Sequence, residues 1–291
     1  MKTPSLYLIV PLLTASIIGG FLFARNSLLR SSEPRPEIIS SFVDKDVIIN
    51  AFNSTVKTVP AKEEAIPVVI VPHHLLAASL IAESLKTVAD HSYAVIVVIS
   101  PNHFSRGQKK ILTTTANWVT PFGYVTADKD LIAQLTSDDS VGLKTEALRG
   151  EHGIGNVLPF IKYLWPDTPV VPLIIKDTQT QADSQRLAKI LYDSLPNNTL
   201  VILSEDMSHY KSPKVSRLHD ATTIQALKNL DGTLVDSLDV DSRPSLRTIF
   251  AYLRLRKATH FHLINHSDAS LIVKQPLEET TSYITGFYAD Q

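Results

Sequence analysis

Three histidines in the sequence each follow a run of apolar residues, and imidazoles in such positions can bind a metal ion or transfer a proton. His73 follows IPVVIVP, His103 follows YAVIVVISPN, and His209 follows TLVILSEDMS. A single histidine after such a run is more often a loop residue or a helix cap, but three at equivalent positions favour a shared site. Ligands bind beyond the carboxyl ends of strands in open α/β sheets, so the three imidazoles are expected to meet in one crevice.

Two carboxylates and a further histidine accompany these side chains. Asp206 precedes His209 by three residues and is a candidate to orient an imidazole or to bind a metal ion directly. Imidazole is the side chain best suited to proton transfer near neutral pH, so His209 is a predicted catalytic residue. Asp206 is predicted to be catalytic with it. Glu151 and His152 precede an apolar-periodic stretch, where Glu151 suits the positive end of a helix. The functional interpretation places both at the mouth of the crevice as substrate-binding residues.

Strands and helices that alternate along the chain must hold these side chains. Short β-branched apolar runs predict buried strands at residues 67–71, 93–100, 169–175, 199–203, 260–264 and 282–288. Helical apolar spacing predicts helices at residues 77–89, 128–135, 154–164, 181–195, 216–230 and 242–256. This alternation predicts an α/β fold, a layered domain with a central, largely parallel or mixed sheet flanked by helices.

Composition and charge exclude several classes of function. The 291-residue chain has no cysteine, which excludes disulfides, thiolate nucleophiles and thiolate metal ligands. Its 28 basic and 29 acidic residues are interspersed and give a formal net charge of −1. Because nucleic-acid-binding proteins concentrate Lys and Arg, a nucleic-acid partner is not indicated.

The N-terminal segment differs in composition from the rest of the chain. Residues 4–24 contain no charged side chain, and a stretch of this length favours an uncleaved transmembrane helix over a cleaved signal peptide. We therefore expect a membrane anchor at residues 1–25, a tether with extended pieces such as 47–50 at residues 26–66, and the α/β domain at residues 67–291. Basic residues flank the anchor almost equally, but an N-terminal anchor more often exports the domain behind it, so the domain is expected outside the cytoplasm.

Six short motifs occur in order along the α/β domain. They are VPHHLLAAS (71–79), VISPNHF (98–104), WVTPFG (118–123), EHGIGNVLPF (151–160), SEDMSHY (204–210) and TSYITGFY (281–288). Together they resemble the Memo family, also called component B of the AmmeMemoRadiSam set, over the chain from residue 67 to the C-terminus. The resemblance implies a fold akin to the metal-binding subunit of class III extradiol dioxygenases.

The resemblance also implies a set of metal ligands. His73 and His103 match positions that supply ligands in the family, and Asp206 and His209 match residues that line the same pocket. In animal members a cysteine completes the site, but this chain has none, and Asp241 stands at the closest match. The predicted ligands are therefore His73, His103 and Asp241, with Asp206 or His209 as the alternative third ligand.

Two further positions depart from the family pattern. Gly153 and Val157 stand where the family often has a serine and a second histidine, so contacts made by those side chains are missing here.

The predicted ligand set suits one divalent metal ion. Two imidazoles and a carboxylate favour Fe(II), with Zn²⁺ and Mn²⁺ as alternatives and copper less suited without sulfur ligands. The predicted function is that of a metal-dependent enzyme, oxygenase-like or hydrolytic. The rival hypothesis is a non-catalytic module that uses the same crevice to bind a small molecule or a peptide.

Overall fold

Two sheets and the helices around them form the part of the chain that the computed structural model describes, residues 37–40, 44–56 and 65–290. The strands are β1 (Glu37–Ile39), β2 (Val68–Val71), β3 (Val95–Pro101), β4 (Ile111–Thr113), β5 (Asn117–Thr120), β6 (Gly123–Val125), β7 (Val141–Leu143), β8 (Val170–Ile175), β9 (Thr199–Ser204), β10 (His260–Asp268) and β11 (Ser282–Ala289). The helices are α1 (Lys45–Ser54), α2 (Ala78–Thr87), α3 (Lys129–Thr136), α4 (Thr145–Leu148), α5 (His152–Gly155), α6 (Leu158–Leu164), α7 (Gln181–Ser194), α8 (Pro213–Asn229), α9 (Arg243–Arg256) and α10 (Ala269–Val273).

The larger sheet is mixed and contains eight of the described strands, in the order β10-β11-β2-β9-β3-β8-β4-β7. Its four central strands, β2, β9, β3 and β8, are parallel neighbours. By contrast, β11 runs antiparallel to β2, and β4 runs antiparallel to β8. Every residue of the four central strands is buried, as continuous apolar runs require. The predicted layered α/β fold with a central sheet is confirmed.

Side chains alternate across the sheet and enter two separate cores. In β2, Val69 and Val71 belong to the core that contains Phe160 of α6. Val68 and Ile70 point the other way, into the core covered by α7, α8 and α9. Burial of an aliphatic side chain of this size stabilises the fold by about 1.5–3 kcal/mol. The helices on both faces therefore hold the central strands, and the ends of those strands, in place.

Part of the range predicted to be a tether is folded. β1 pairs in parallel with β5 and, together with β6, forms a small three-stranded sheet. Residues 47–50, expected to be extended, lie in helix α1, whose cap residue Asp44 accepts a hydrogen bond from the N–H of Asp46. Ile48 and Phe52 of α1 are buried, and their spacing of four places them on one helix face. Packing of that face outweighs the β-branched character that suggested extended chain.

Membrane attachment finds no support in the structure. Among the residues described, no helix combines the length and apolarity needed to cross a membrane. The predicted anchor, residues 1–25, lies outside the described residues. The localisation predicted from the sequence, a membrane-anchored domain outside the cytoplasm, is corrected on this finding.

Candidate metal centre

The sheet order brings the three histidines together. Strands β2, β9 and β3 are parallel neighbours in that order, so their carboxyl ends lie at one edge of the sheet. His73 follows β2, His209 follows β9 and His103 follows β3, and all three line one pocket of about 660 Å³. The predicted crevice is therefore present at the predicted edge.

Asp241 lies between two of these imidazoles. Its Oδ2 is 3.1 Å from Nε2 of His73 and 3.2 Å from Nε2 of His103. The ring centroids of His73 and His103 are 5.0 Å apart, and the ring planes are nearly perpendicular. Asp241 belongs to the segment before α9, whose cap Ser242 directly follows it. Two imidazole nitrogens thus lie within 3.2 Å of one carboxylate oxygen, and these are donor types that bind divalent metal ions.

The ring nitrogens that face away from Asp241 have partners of their own. Nδ1 of His73 lies 3.1 Å from Ser204 Oγ, which donates its proton to Gly153 O at 2.6 Å. Ser204 must therefore accept from Nδ1–H of His73, so Nε2 is the nitrogen that can bind a metal ion once its proton is displaced. Nδ1 of His103 lies 2.5 Å from Glu151 Oε1, which fixes the same tautomer. Metal-binding histidines are held in this way, so the residues present fit a divalent ion.

Asp206 lies beside this cluster and offers a second carboxylate. Its Oδ1 accepts from the backbone N–H of His73 at 3.0 Å, and its Oδ2 lies 3.6 Å from Nε2 of the same residue. His73, Asp206 and Asp241 form one group with metal-ligand spacing, and His73, His103 and His152 form another. His209 is more remote, since its Nδ1 lies 3.8 Å from Asp241 Oδ1.

The two residues predicted to bind substrate have different positions. His152 lines the pocket, with its ring centroid 3.9 Å from that of His103. Glu151 is only 1% exposed and lies behind His103, where it also accepts from Gly153 N–H at the start of α5. The expectation that Glu151 sits at the mouth of the crevice is corrected, because the turn into α5 directs its carboxylate inward.

The carboxylates change the protonation of the clustered imidazoles. Burial lowers the pKa of His103, but its hydrogen bonds to Asp241 and Glu151 outweigh burial and raise the pKa to about 9. Burial likewise lowers the pKa of His73, and Asp206 and Asp241 reverse the effect and leave it raised. Burial raises the pKa of Asp241, but the two imidazoles hold it well below its usual range. The carboxylates thus stabilise positive charge on the neighbouring imidazoles. A divalent cation at the same place would meet the same favourable negative charge.

His152 has the opposite electrostatic environment. Burial lowers its pKa, the charges on His103 and His73 lower it further, and the resulting value is about 4. A neutral imidazole at pH 7 can accept a proton or bind a metal ion.

Several residues of the pocket are not predicted from the sequence. They are His74, Tyr210, Asp239, Val240 and Thr281. Nδ1 of His74 lies 3.0 Å from the hydroxyl of Tyr283, an interaction between residues 209 positions apart. Tyr210 is exposed, and its φ of 54° places it in the left-handed region that non-glycine residues seldom adopt. The adjacency of His74 to His73 is a usable signal, but the other positions depend on how the loops fold.

Comparison with known proteins agrees with this architecture. The model of the family described as Memo-like protein matches residues 43–285. The chain belongs to the Memo family. A MEMO1 family protein of Caldivirga maquilingensis is 27% identical over 257 residues, which cover 80% of this chain and 91% of that protein. A MEMO1 family protein of Methanobrevibacter smithii is 28% identical over 157 residues, which cover 50% of this chain and 56% of that protein.

A solved structure is similar in fold. The crystal structure of an uncharacterised protein from Escherichia coli K12 covers 76% of this chain and 99% of its own, with a TM-score of 0.50 and 12% sequence identity. At this identity the likeness concerns the fold alone.

The structure explains how this Memo family member accommodates its two departures from the family pattern. A Cβ atom at Gly153 would lie 1.9 Å from Ser100 Oγ and 3.3 Å from Cε1 of His103, so the frequent serine does not fit without a shift. Val157 is fully buried in the core that contains Phe160, where a histidine would need a polar partner.

Proposed function

We propose that this chain is a mononuclear metal-dependent enzyme that binds one divalent ion through His73, His103 and Asp241. The observation that carries the proposal is the convergence of both Nε2 atoms on Asp241 Oδ2, within 3.2 Å. Ser204 and Glu151 hold the far ring nitrogens, so each Nε2 is the nitrogen that binds the ion when the ion displaces its proton. The donor set favours Fe(II), with Zn²⁺ and Mn²⁺ as alternatives. When bound, the ion would act as a Lewis acid that polarises an oxygen of the substrate or of water.

The reaction we propose is oxygenase-like and acts on a small dihydroxylated molecule. The resemblance to extradiol dioxygenases and the two-histidine, one-carboxylate donor set both support it. A pocket of about 660 Å³ in front of the ligands is large enough for such a substrate.

Proton transfer is assigned to the histidines that line the pocket. His152, with a pKa of about 4, is neutral at pH 7 and can accept a hydrogen bond from a substrate hydroxyl. His209 is half-buried and lies 3.8 Å from the Asp241 carboxylate, where it can take up or release a proton. Asp206 accepts a hydrogen bond from the backbone N–H of His73 and so keeps that metal ligand in position.

Metal analysis tests the first part of the proposal. Protein purified without chelators is expected to contain one equivalent of metal, which His73→Ala and Asp241→Ala should each lose. His91→Ala is the matched control, because His91 lies outside the pocket and should leave metal content unchanged. Unchanged metal in Asp241→Ala would remove Asp241 from the ligand set.

Turnover tests the second part. Protein loaded with Fe(II) under anaerobic conditions is mixed with a series of catechols and O₂, and oxygen consumption is measured. We expect His209→Ala to retain the metal and to lose most of the rate. A metal-loaded protein that binds catechols without consuming oxygen would instead support the ligand-binding module, and hydrolysis of ester substrates would support a hydrolase.

A further inference from the structure

Glu205 is a fully buried carboxyl group next to the candidate metal centre, and the proposed reaction does not use it. It is 0% exposed and is absent from the described residues that line the pocket. Its backbone N–H donates to Val71 O at 2.9 Å, which extends the pairing of β9 with β2 by one residue. The central sheet therefore fixes the position of Glu205.

The side chain of Glu205 accepts a hydrogen bond from the residue that comes directly after Asp241. Its Oε1 accepts from the backbone N–H of Ser242. The carbonyl of Asp206 accepts from the backbone N–H of Asp241 at 3.1 Å. Two successive N–H groups, at the base of the Asp241 side chain and just after it, are thus bound to two successive residues at the end of β9.

Helix capping alone does not explain this contact. Ser242 is the cap of α9, and its own hydroxyl accepts from Ser245 N–H at 3.2 Å and lies 2.7 Å from Ser245 Oγ. The Ser242 side chain therefore caps α9 by itself, and Glu205 binds a different group, the backbone N–H of the cap residue. Moreover, Glu205 Oε2 is buried and has no hydrogen-bond partner among the described residues. Burial of an incompletely satisfied carboxyl group is costly, which points to a role for the oxygen that is engaged.

We propose that Glu205 is a positioning residue for the metal centre. By holding Ser242 N–H, it fixes the backbone at Asp241 so that Oδ2 stays within reach of both Nε2 atoms. The sheet, the Glu205 side chain and the Asp241 ligand form one rigid connection. This inference rests on the proposed metal site and identifies the residue that keeps the Asp241 carboxylate in place.

The test compares three variants of the full chain with the wild type. Glu205→Leu removes the acceptor, Glu205→Gln keeps an acceptor oxygen without charge, and Ser245→Ala weakens the start of α9 without touching Glu205. Affinity for Co²⁺ is measured by chelator competition, the Co²⁺ absorption bands report ligand geometry, and urea unfolding of metal-free protein reports stability. Glu205→Ala, which leaves room for water, replaces Glu205→Leu if that variant does not fold.

We expect Glu205→Leu to bind Co²⁺ about 10- to 100-fold more weakly with altered absorption bands, as for other residues that orient metal ligands. Glu205→Gln should resemble the wild type, and Ser245→Ala should lose stability but not affinity. Unchanged affinity and spectrum in Glu205→Leu would overturn the inference alone, as would an equal loss in Glu205→Gln. A wild type that binds no Co²⁺ would overturn both the inference and the proposed metal site.

Discussion

Glu151 holds His103 at two points. Its Oε2 accepts from the backbone N–H of His103 at 3.1 Å, and its Oε1 lies 2.5 Å from the ring Nδ1. The ring cannot rotate without loss of the second contact, so Nε2 remains directed at Asp241. The negative charge on Glu151 also makes Nε2 a stronger electron donor, because it stabilises the proton on Nδ1.

Replacing Glu151 with glutamine is therefore expected to weaken metal binding. The amide keeps the size of the side chain but removes its charge, and we expect a loss of affinity of about 10- to 100-fold, measured by chelator competition. Glu146→Gln is the control, since Glu146 pairs with Arg149 at the surface and undergoes the same chemical change. Equal affinities for the two variants would contradict the assigned role of Glu151.

The raised pKa of His103 predicts opposite pH trends for stability and metal binding. Because the pKa rises from 6.5 to about 9 in the fold, its stabilising contribution is complete below pH 6.5 and is lost as the pH rises through 9. Metal-free protein should thus lose stability from pH 6.5 to 9, as followed by urea unfolding. Since the metal ion must displace the proton, its affinity should rise over the same range. A pH-independent affinity would contradict this protonation.

We predict that position 153 requires glycine, because the Ser100 side chain lies directly against it. Gly153→Ala places a Cβ 1.9 Å from Ser100 Oγ, and such overpacking should lower the free energy of unfolding by about 1–3 kcal/mol. Adding Ser100→Ala should restore part of the loss, because the Ser100 Cβ lies 3.1 Å from the same position. Gly232→Ala, which meets its nearest neighbour at 3.7 Å, is the control. Additive effects of the two substitutions would exclude a direct clash.

Helix α1 is predicted to stabilise the whole fold. Phe52 is buried, with its ring 5.8 Å from that of Phe160 and stacked on Tyr163 at 4.8 Å. Phe52→Ala should therefore lower the free energy of unfolding by about 3–5 kcal/mol, measured with urea. Val56→Ala, at a position that is 82% exposed, should change it little. A small effect of Phe52→Ala would indicate that α1 packs only loosely.

The central elements of this fold are predictable from local patterns. Strands β2, β3, β8 and β9 lie in nearly continuous apolar runs. Such runs are interpreted correctly because a strand that is buried on both faces of a sheet consists mainly of apolar residues. The short strands β4, β5, β6 and β7 are not predicted, since each has only three or four residues and, unlike β2, none lies in a longer β-branched apolar run. Apolar spacing predicts one helix over residues 154–164, but the structure has α5 and α6 with a break between them.

The sequence by itself determined that His73 and His103 each come after a buried strand and that no thiolate completes their site. Parallel strands present their carboxyl ends at one edge, so this part of the site follows from local pattern. The family resemblance named Asp241 as a ligand, but only the tertiary structure placed its carboxylate against His103, 138 residues away along the chain, and turned Glu151 inward behind the same ring. Both depend on where loops and helix starts pack against the sheet, and residue type and spacing along the chain do not specify that packing.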